Sequence, residues 1–266
     1  MTVRWSVFVA PVDEPDQPWI SESAEDVLLT ASIGKMLLLG HVAERLTDGS
    51  MSADQPITRT DEDFIRDSGL WHVLDQDTLG LADACRLIGA VSDNLATNAV
   101  LRTVGIDAVK EYAARLGAAP MELLDKVRTH RDIATMPDAA ETLSRASAES
   151  LWRMQVAIHE RRVDPMVAEW LSLDTDLSMV ASAFDLDPLA HNAIGMTDPL
   201  TWSLINKTGT DDGVRGDTGL VAHGGVTVAY AAVANWEPRG TADPDLADVM
   251  RRMRSIGKEI RSQLTR

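Results

Sequence analysis

The chain is 266 residues long, 45% apolar and 25% charged, ordinary globular proportions that exclude disordered and fibrous classes. With 41 acidic against 25 basic residues its formal net charge is −16, which argues against nucleic-acid binding and against docking on anionic membranes. One cysteine, Cys85, excludes an intrachain disulfide and a thiolate zinc cage; in its apolar run it reads as a small buried hydrophobe.

From the N-terminus, Val3, Trp5, Val7 and Val9 alternate with Arg4, Ser6 and Phe8 up to Pro11, which predicts a strand. Asp13 and Glu14 follow this apolar run at once and no small-x-small site appears, so it does not read as a signal peptide. No stretch approaches the ~18 uninterrupted apolar residues of a membrane span, and a cytoplasmic location is expected. A short extended piece near Trp19-Ile20 is followed by a helix over Met36–Leu46, stopped at Thr47-Asp48-Gly49. Further helices are predicted over Leu79–Ala90, Asn94–Val104 and Ile106–Leu116, the last closed by Gly117, and a long one over Asp138–His159 with Pro137 near its start.

The last third changes character. Trp202–Ile205, Thr218–Ala222 and Val226–Asn235 are β-branched and apolar between Gly and Asp clusters, and read as three antiparallel strands. A terminal helix carries Leu246, Met250, Met253, Ile260 and Leu264 on one side and Arg251, Arg252, Arg254, Lys258 and Arg261 on the other, which reads as a solvated face. Strands at both chain ends and helices between them predict an α/β (α+β) fold. An antiparallel sheet with flanking helices would be built from 1–30 and 198–266, with an inserted all-helical domain over 31–197 and a cleft between the two.

The six histidines have no ligand spacing, so no metal site is read and no cofactor is expected. What stands out is a trio: Ser32-Ile33-Gly34-Lys35 at a helix start, Ser92-Asp93-Asn94 between two helices, and Lys207-Thr208-Gly209 closing a strand. A serine hydroxyl needs a neighbouring base to become a nucleophile. Lys35, one helical turn from Ser32, serves only if burial or a second cation such as Lys207 depresses its pKa. Ser92 would then bridge Ser32 and Lys207 and pass the proton to the leaving nitrogen, while Asn94 offers donor and acceptor to a substrate amide.

In this trio, in this order, the chain resembles the class A β-lactamases and related penicillin-recognising serine enzymes. The resemblance implies the fold just derived and a serine hydrolase that forms an acyl-enzyme on Ser32 from a β-lactam or a related amide or ester. It implies an oxyanion hole from the N–H groups of Ser32 and Thr210, and substrate contacts from Asn94, Thr208 and Gly209. Arg215, eight residues after Lys207, resembles the family's carboxylate-binding arginine. Trp71 stands where the family places an aromatic wall of the cleft, although a core position suits it equally. Arg131-Asp132 with Ala134-Thr135-Met136-Pro137 looks like the end of the omega loop.

That loop is short. Where the family has the glutamate that positions the deacylating water, matching Leu124-Asp125-Lys126-Val127 places Arg128. Glu122 and Asp125 are the nearby carboxylates and neither has the family spacing, so slow deacylation is expected. Within the same reading, a sensor or binder that acylates without turnover and an intracellular esterase or peptidase stay open. The expected partner is a small molecule, and a monomer is expected.

Overall fold

The computed structural model describes residues 2–129, 136, 139–191, 201–240 and 243–266. Its centre is a five-stranded sheet of β1 (Arg4–Pro11), β2 (Ile20–Glu22), β3 (Ser203–Asp211), β4 (Val214–His223) and β5 (Val226–Asn235), in the order β2-β1-β5-β4-β3. All neighbours are antiparallel. The first strand therefore pairs with the last, Trp5 opposite Ala234 and Val9 opposite Tyr230.

Alternation along the strands gives the sheet two apolar faces. Val7, Val9, Leu204, Val221, Val228 and Tyr230 join one core with the C-terminal helix and the turn Val180–Phe184. Ala10, Ile205, Leu220, Ala229, Ala231 and Val233 join the larger core shared with the remaining helices. Those helices are α1 (Lys35–Thr47), α2 (Leu81–Val91), α3 (Asn94–Val104), α4 (Ile106–Leu116), α5 (Ala148–His159) and α6 (Pro165–Leu171), and α7 (Pro244–Leu264) closes the chain. Helix α5 lies on the sheet, Trp152 meeting Phe8 edge-on at 5.4 Å. Both α5 and Val180–Phe184 thus pack on strands although they fall within the segment expected to be the helical lobe. Cys85 is fully buried, and the basic side of α7 is exposed and ion-paired, Arg261 with Asp185 and Arg252 with Glu22.

Three elements differ from the sequence expectation for local reasons. The long helix begins only at Ala148, because Ser147 caps it through reciprocal bonds with Ser150. The residues before it, Ser144–Ala146, are extended and pair with Leu28–Leu29 and Glu122–Leu123. Pro137 and Asp138 lie outside the described residues. Strands β3 and β4 run on to a two-residue turn, so Lys207-Thr208-Gly209 lies inside a strand rather than at its end. Helix α6, capped by Asp164 with Pro165 at its first position, is too short to show a period.

Asp217 on β4 is fully buried and accepts hydrogen bonds from the Ala181 N–H (3.1 Å), Asn206 (3.3 Å) and the Tyr230 hydroxyl (3.1 Å). Burial pushes its carboxyl up to about 7, against the pull of the Ala181 N–H. A carboxyl raised on folding favours the folded state when protonated, and that advantage is lost as pH rises through the folded value. Asp217→Asn removes the titration. Its melting temperature relative to the unchanged protein is therefore expected to rise between about pH 5 and about pH 9. Thermal unfolding at both pH values checks this, and a pH-independent difference would show that the carboxyl does not titrate there.

Candidate active site

Ser32 sits in a short 3₁₀ turn, Ala31–Gly34, that leads into α1. Ala31 is held at φ 46°, a left-handed conformation that costs a non-glycine residue about 1–3 kcal/mol and persists only where neighbours enforce it. The enforcing neighbour is Ser144. Its buried hydroxyl donates to the Ala31 carbonyl (2.6 Å) and accepts from the Gly34 N–H (3.2 Å) and the Thr30 hydroxyl (2.7 Å). Nothing in the sequence marks Ser144, whose place depends on the pairing of Leu28 with Ala146. The Ser32 hydroxyl makes no hydrogen bond among the described residues and lines a cleft of about 480 Å³.

Lys35, the first residue of α1, is fully buried. Its Nζ lies 2.8 Å from the Ser92 carbonyl, 3.3 Å from the Ser92 hydroxyl and 2.6 Å from Asn94 Oδ1. Burial, with Lys207 adding to it, holds its pKa well below that of a free lysine, while Asp93 and Asp67 oppose the shift. Ser92 ends α2 in the left-handed region at φ 53°. Asp93 caps α3 through the Ala96 N–H (2.8 Å) and also accepts from the N–H groups of Leu70 (2.7 Å) and Trp71 (2.8 Å). This lashing fixes Ser92 and Asn94 on either side of it. The Asn94 amide is used at both ends, since its Nδ2 donates to Asp67.

The third wall is β3. Lys207 is fully buried, and its Nζ donates to the Thr208 carbonyl at 3.0 Å. Burial lowers its pKa, against Asp174, Asp176 and Asp217. The expected bridge from Ser92 to Lys207 is not formed; Lys35 holds the Ser92 hydroxyl instead. Glycine is needed at 209 because a Cβ there would fall 2.1 Å from the Thr30 carbonyl oxygen. One at Gly216, opposite it, would meet Ile33 at 2.7 Å. The strand edge is thereby pressed against the Ser32 turn. Asp211 and Val214 close the two-residue hairpin, so the next pair, Thr210 and Arg215, is of the wide kind whose N–H groups point away from the partner strand. The Thr210 N–H therefore points off the free edge, on the side of Ser32.

Arg215 also lines the cleft, its guanidinium turned back onto the carbonyls of Asp211 (2.8 Å) and Val214 (2.7 Å) and 6.0 Å from the Trp236 ring. Ser32, Ser92, Asn94, Thr208, Thr210 and Arg215 thus face one space, with Lys35, Lys207 and Gly209 directly behind it. Trp71 does not join them. It is fully buried, with its indole N–H on the Gln76 carbonyl (2.7 Å), a core residue rather than a cleft wall. The cleft is lined by Asp67 and Ser68 instead.

Arg128 and the two carboxylates considered beside it are not among the cleft-lining residues. Glu122 pairs with Arg145 at 2.5 Å, and Asp125 binds Arg128 through both oxygens at 2.7 and 3.0 Å. Arg131, Asp132, Ala134 and Thr135 lie outside the described residues. Among the described residues no group of three His, Cys, Asp or Glu could hold a metal ion, and no helix is long and apolar enough to cross a membrane.

A family model described as the beta-lactamase enzyme family matches residues 2–263. The chain is similar in structure to the beta-lactamase from Sphaerobacter thermophilus DSM 20745, with a TM-score of 0.79, 18% identity, and coverage of 99% of this chain and 92% of that one. A class A beta-lactamase from Mycobacterium abscessus gives 0.74 at 14% identity, covering 99% and 94%. An acyl-enzyme complex of a PBP-A mutant with penicillin G also gives 0.74 at 14% identity, covering 98% and 90%.

Proposed function

Because the chain belongs to the beta-lactamase enzyme family, and is a serine hydrolase with the class A fold, we propose that it forms an acyl-enzyme on Ser32 with β-lactams or closely related amides. The observation that carries this reading is the convergence of Ser32, Lys35, Ser92 and Asn94 with the edge of β3 around one cleft. A neutral Lys35 amine keeps two N–H donors, enough for the Ser92 carbonyl and Asn94 Oδ1, and its lone pair accepts a serine proton. The Ser32 oxygen attacks the substrate carbonyl carbon while the proton passes to Lys35. The developing oxyanion is met by the N–H groups of Ser32 and Thr210. The C–N bond then breaks, and the proton returns through the Ser92 hydroxyl, 3.3 Å from Lys35 Nζ, to the leaving nitrogen. Thr208 on β3 and Arg215 on β4 would receive the substrate carboxylate.

Intact-protein mass spectrometry after mixing with a penicillin tests the reading, since one measurement separates a persistent adduct, rapid turnover and no reaction. A protein that neither gains the acyl mass nor consumes the penicillin would overturn it.

The base role of Lys35 has its own signature. With its pKa depressed by burial, acylation should rise with pH as the amine loses its proton and level off above the folded value. Arginine cannot deprotonate, so Lys35→Arg is expected to acylate at least ~100-fold more slowly and to lose that rising limb. Stopped-flow acylation rates across pH check both statements. Near-normal acylation by Lys35→Arg would move the base elsewhere.

A further inference from the structure

Lys35 Nζ meets three oxygens: the Ser92 carbonyl, the Ser92 hydroxyl and Asn94 Oδ1. The carbonyl only accepts, and the hydroxyl rotates to suit. The Asn94 amide is different, because its accepting and donating ends fill nearly the same space and either could be turned to Lys35. With Oδ1 facing Nζ at 2.6 Å, a neutral amine spends its two N–H groups on the Ser92 carbonyl and on Asn94. Its lone pair is left for the Ser32 proton. With the amide turned over, Nδ2 would donate into that lone pair, or would face a protonated amine donor to donor.

Asp67 selects between the two. A carboxylate accepts and has no proton to donate, so its bond from Asn94 Nδ2 obliges Oδ1 to face Lys35. Asp93, the carboxylate next to Asn94 in the chain, turns its oxygens instead to the N–H groups of Leu70, Trp71 and Ala96. The neighbour of Asp67 is stitched to the same junction. The Ser68 carbonyl accepts from the Asn94 N–H (3.0 Å), and the Ser68 hydroxyl donates to the Val91 carbonyl (3.3 Å). Asp67 itself lies on the cleft lining while Lys35 is fully buried, so Asn94 carries its influence inward.

We propose that Asp67 is a positioning residue for acylation, fixing the Asn94 amide so that the Lys35 lone pair stays free for the Ser32 proton. This rests on the reading of Lys35 as the acylation base and adds the group that orients it. Charge acts beside orientation. Burial and Lys207 of β3 lower the Lys35 pKa, while Asp93 and Asp67 raise it. Removing the Asp67 charge therefore lowers it further, and the amine loses its proton at lower pH.

The test compares Asp67→Asn, which keeps the shape but tolerates either amide orientation, with Asp67→Glu, which keeps a carboxylate. The Lys35 titration is followed without substrate by NMR of isotope-labelled lysine side chains, its signal assigned with Lys35→Arg. Acylation is measured across pH with a saturating penicillin and with a small activated acetate ester, which has no side chain to reach Asp67. Expected for Asp67→Asn are a Lys35 titration and a rising limb at lower pH, and a high-pH plateau about three- to tenfold down with both donors. Asp67→Glu should retain most of the original behaviour. A plateau that falls while the titration stays put, or falls equally in Asp67→Glu, marks a merely structural contact and overturns the positioning role. A titration that moves while the plateau stays marks charge alone and also overturns it. Unmoved titration and plateau overturn it too, while acylation itself upholds the enzyme. Without acylation by either donor the acyl-enzyme reading falls, and the titration then decides by itself: lowered in Asp67→Asn, it upholds the hold of Asp67 on Lys35; unmoved, it overturns it.

Discussion

Replacing Ser32 by alanine is expected to abolish every covalent adduct with a penicillin or an activated ester while the protein stays folded. The hydroxyl contributes nothing to the fold that its loss would disturb, since it makes no hydrogen bond among the described residues and lies in the cleft lining. The turn that carries it is held by Ser144 through Ala31, Thr30 and Gly34, and none of these bonds uses the Ser32 side chain. Intact mass after incubation, with a circular dichroism melt to verify folding, reads the result. An acyl mass on a folded Ser32→Ala protein would mean that another group is the nucleophile.

A comparably large effect is expected in the second half of the reaction. Chromogenic cephalosporin hydrolysis should show a stoichiometric burst followed by a slow steady state, with acylated protein visible by mass. Deacylation needs a water held and deprotonated on the far face of the ester, and the sequence reading expects Arg128 where the resemblance implies the family's glutamate. The two carboxylates nearest in sequence are engaged with arginines, Glu122 with Arg145 and Asp125 with Arg128, and neither is among the cleft-lining residues. The aspartates that do line the cleft belong to the 67, 174–176 and 211–212 segments, not to the stretch from which the family draws its base. Losing a positioned base costs ~100- to 10,000-fold. A linear trace with turnover of roughly ten per second, the median for enzymes, would show that another group activates the water.

The trio was legible because each member is a short contiguous motif whose local structure the flanking periodicity also predicts. Ser32 to Lys35 needs only a helix start, and Ser92 to Asn94 only a junction between helices. The fold followed from the distribution of periodicities, since strands at the two chain ends have few partners except one another. What stayed hidden depends on long-range pairing. Ser144 became part of the nucleophile turn only when 144–146 paired with 28–29, and the helical pattern running through it masked the break that Ser147 imposes. Trp71 left two readings open because burial depends on how 69–74 fold back on Asp93, which no spacing records. The expected contact of Ser92 with Lys207 failed for a related reason: which of two buried lysines a hydroxyl meets is set by angstroms between elements. The acidity of the cleft was equally invisible, because its aspartates come from three separate segments.

The antiparallel pairing of β1 with β5 has a consequence for how the chain comes into being. Residues 4–11 emerge from a ribosome long before their partners at 228–235, so this ladder of the sheet joins segments far apart in sequence. Such non-local closure is slow. Until synthesis reaches β5, Val7, Val9, Phe8 and Ala10 form a strand that is apolar on both faces with an unsatisfied edge, the kind of segment that associates with other nascent chains. Ser144, which holds the nucleophile turn through the Ala31 carbonyl, precedes β3 in the chain, so the turn has an anchor before the strand edge arrives. Gly209 then closes onto Thr30 late in folding, which would make the acylating activity proposed above a late clock for the folded sheet.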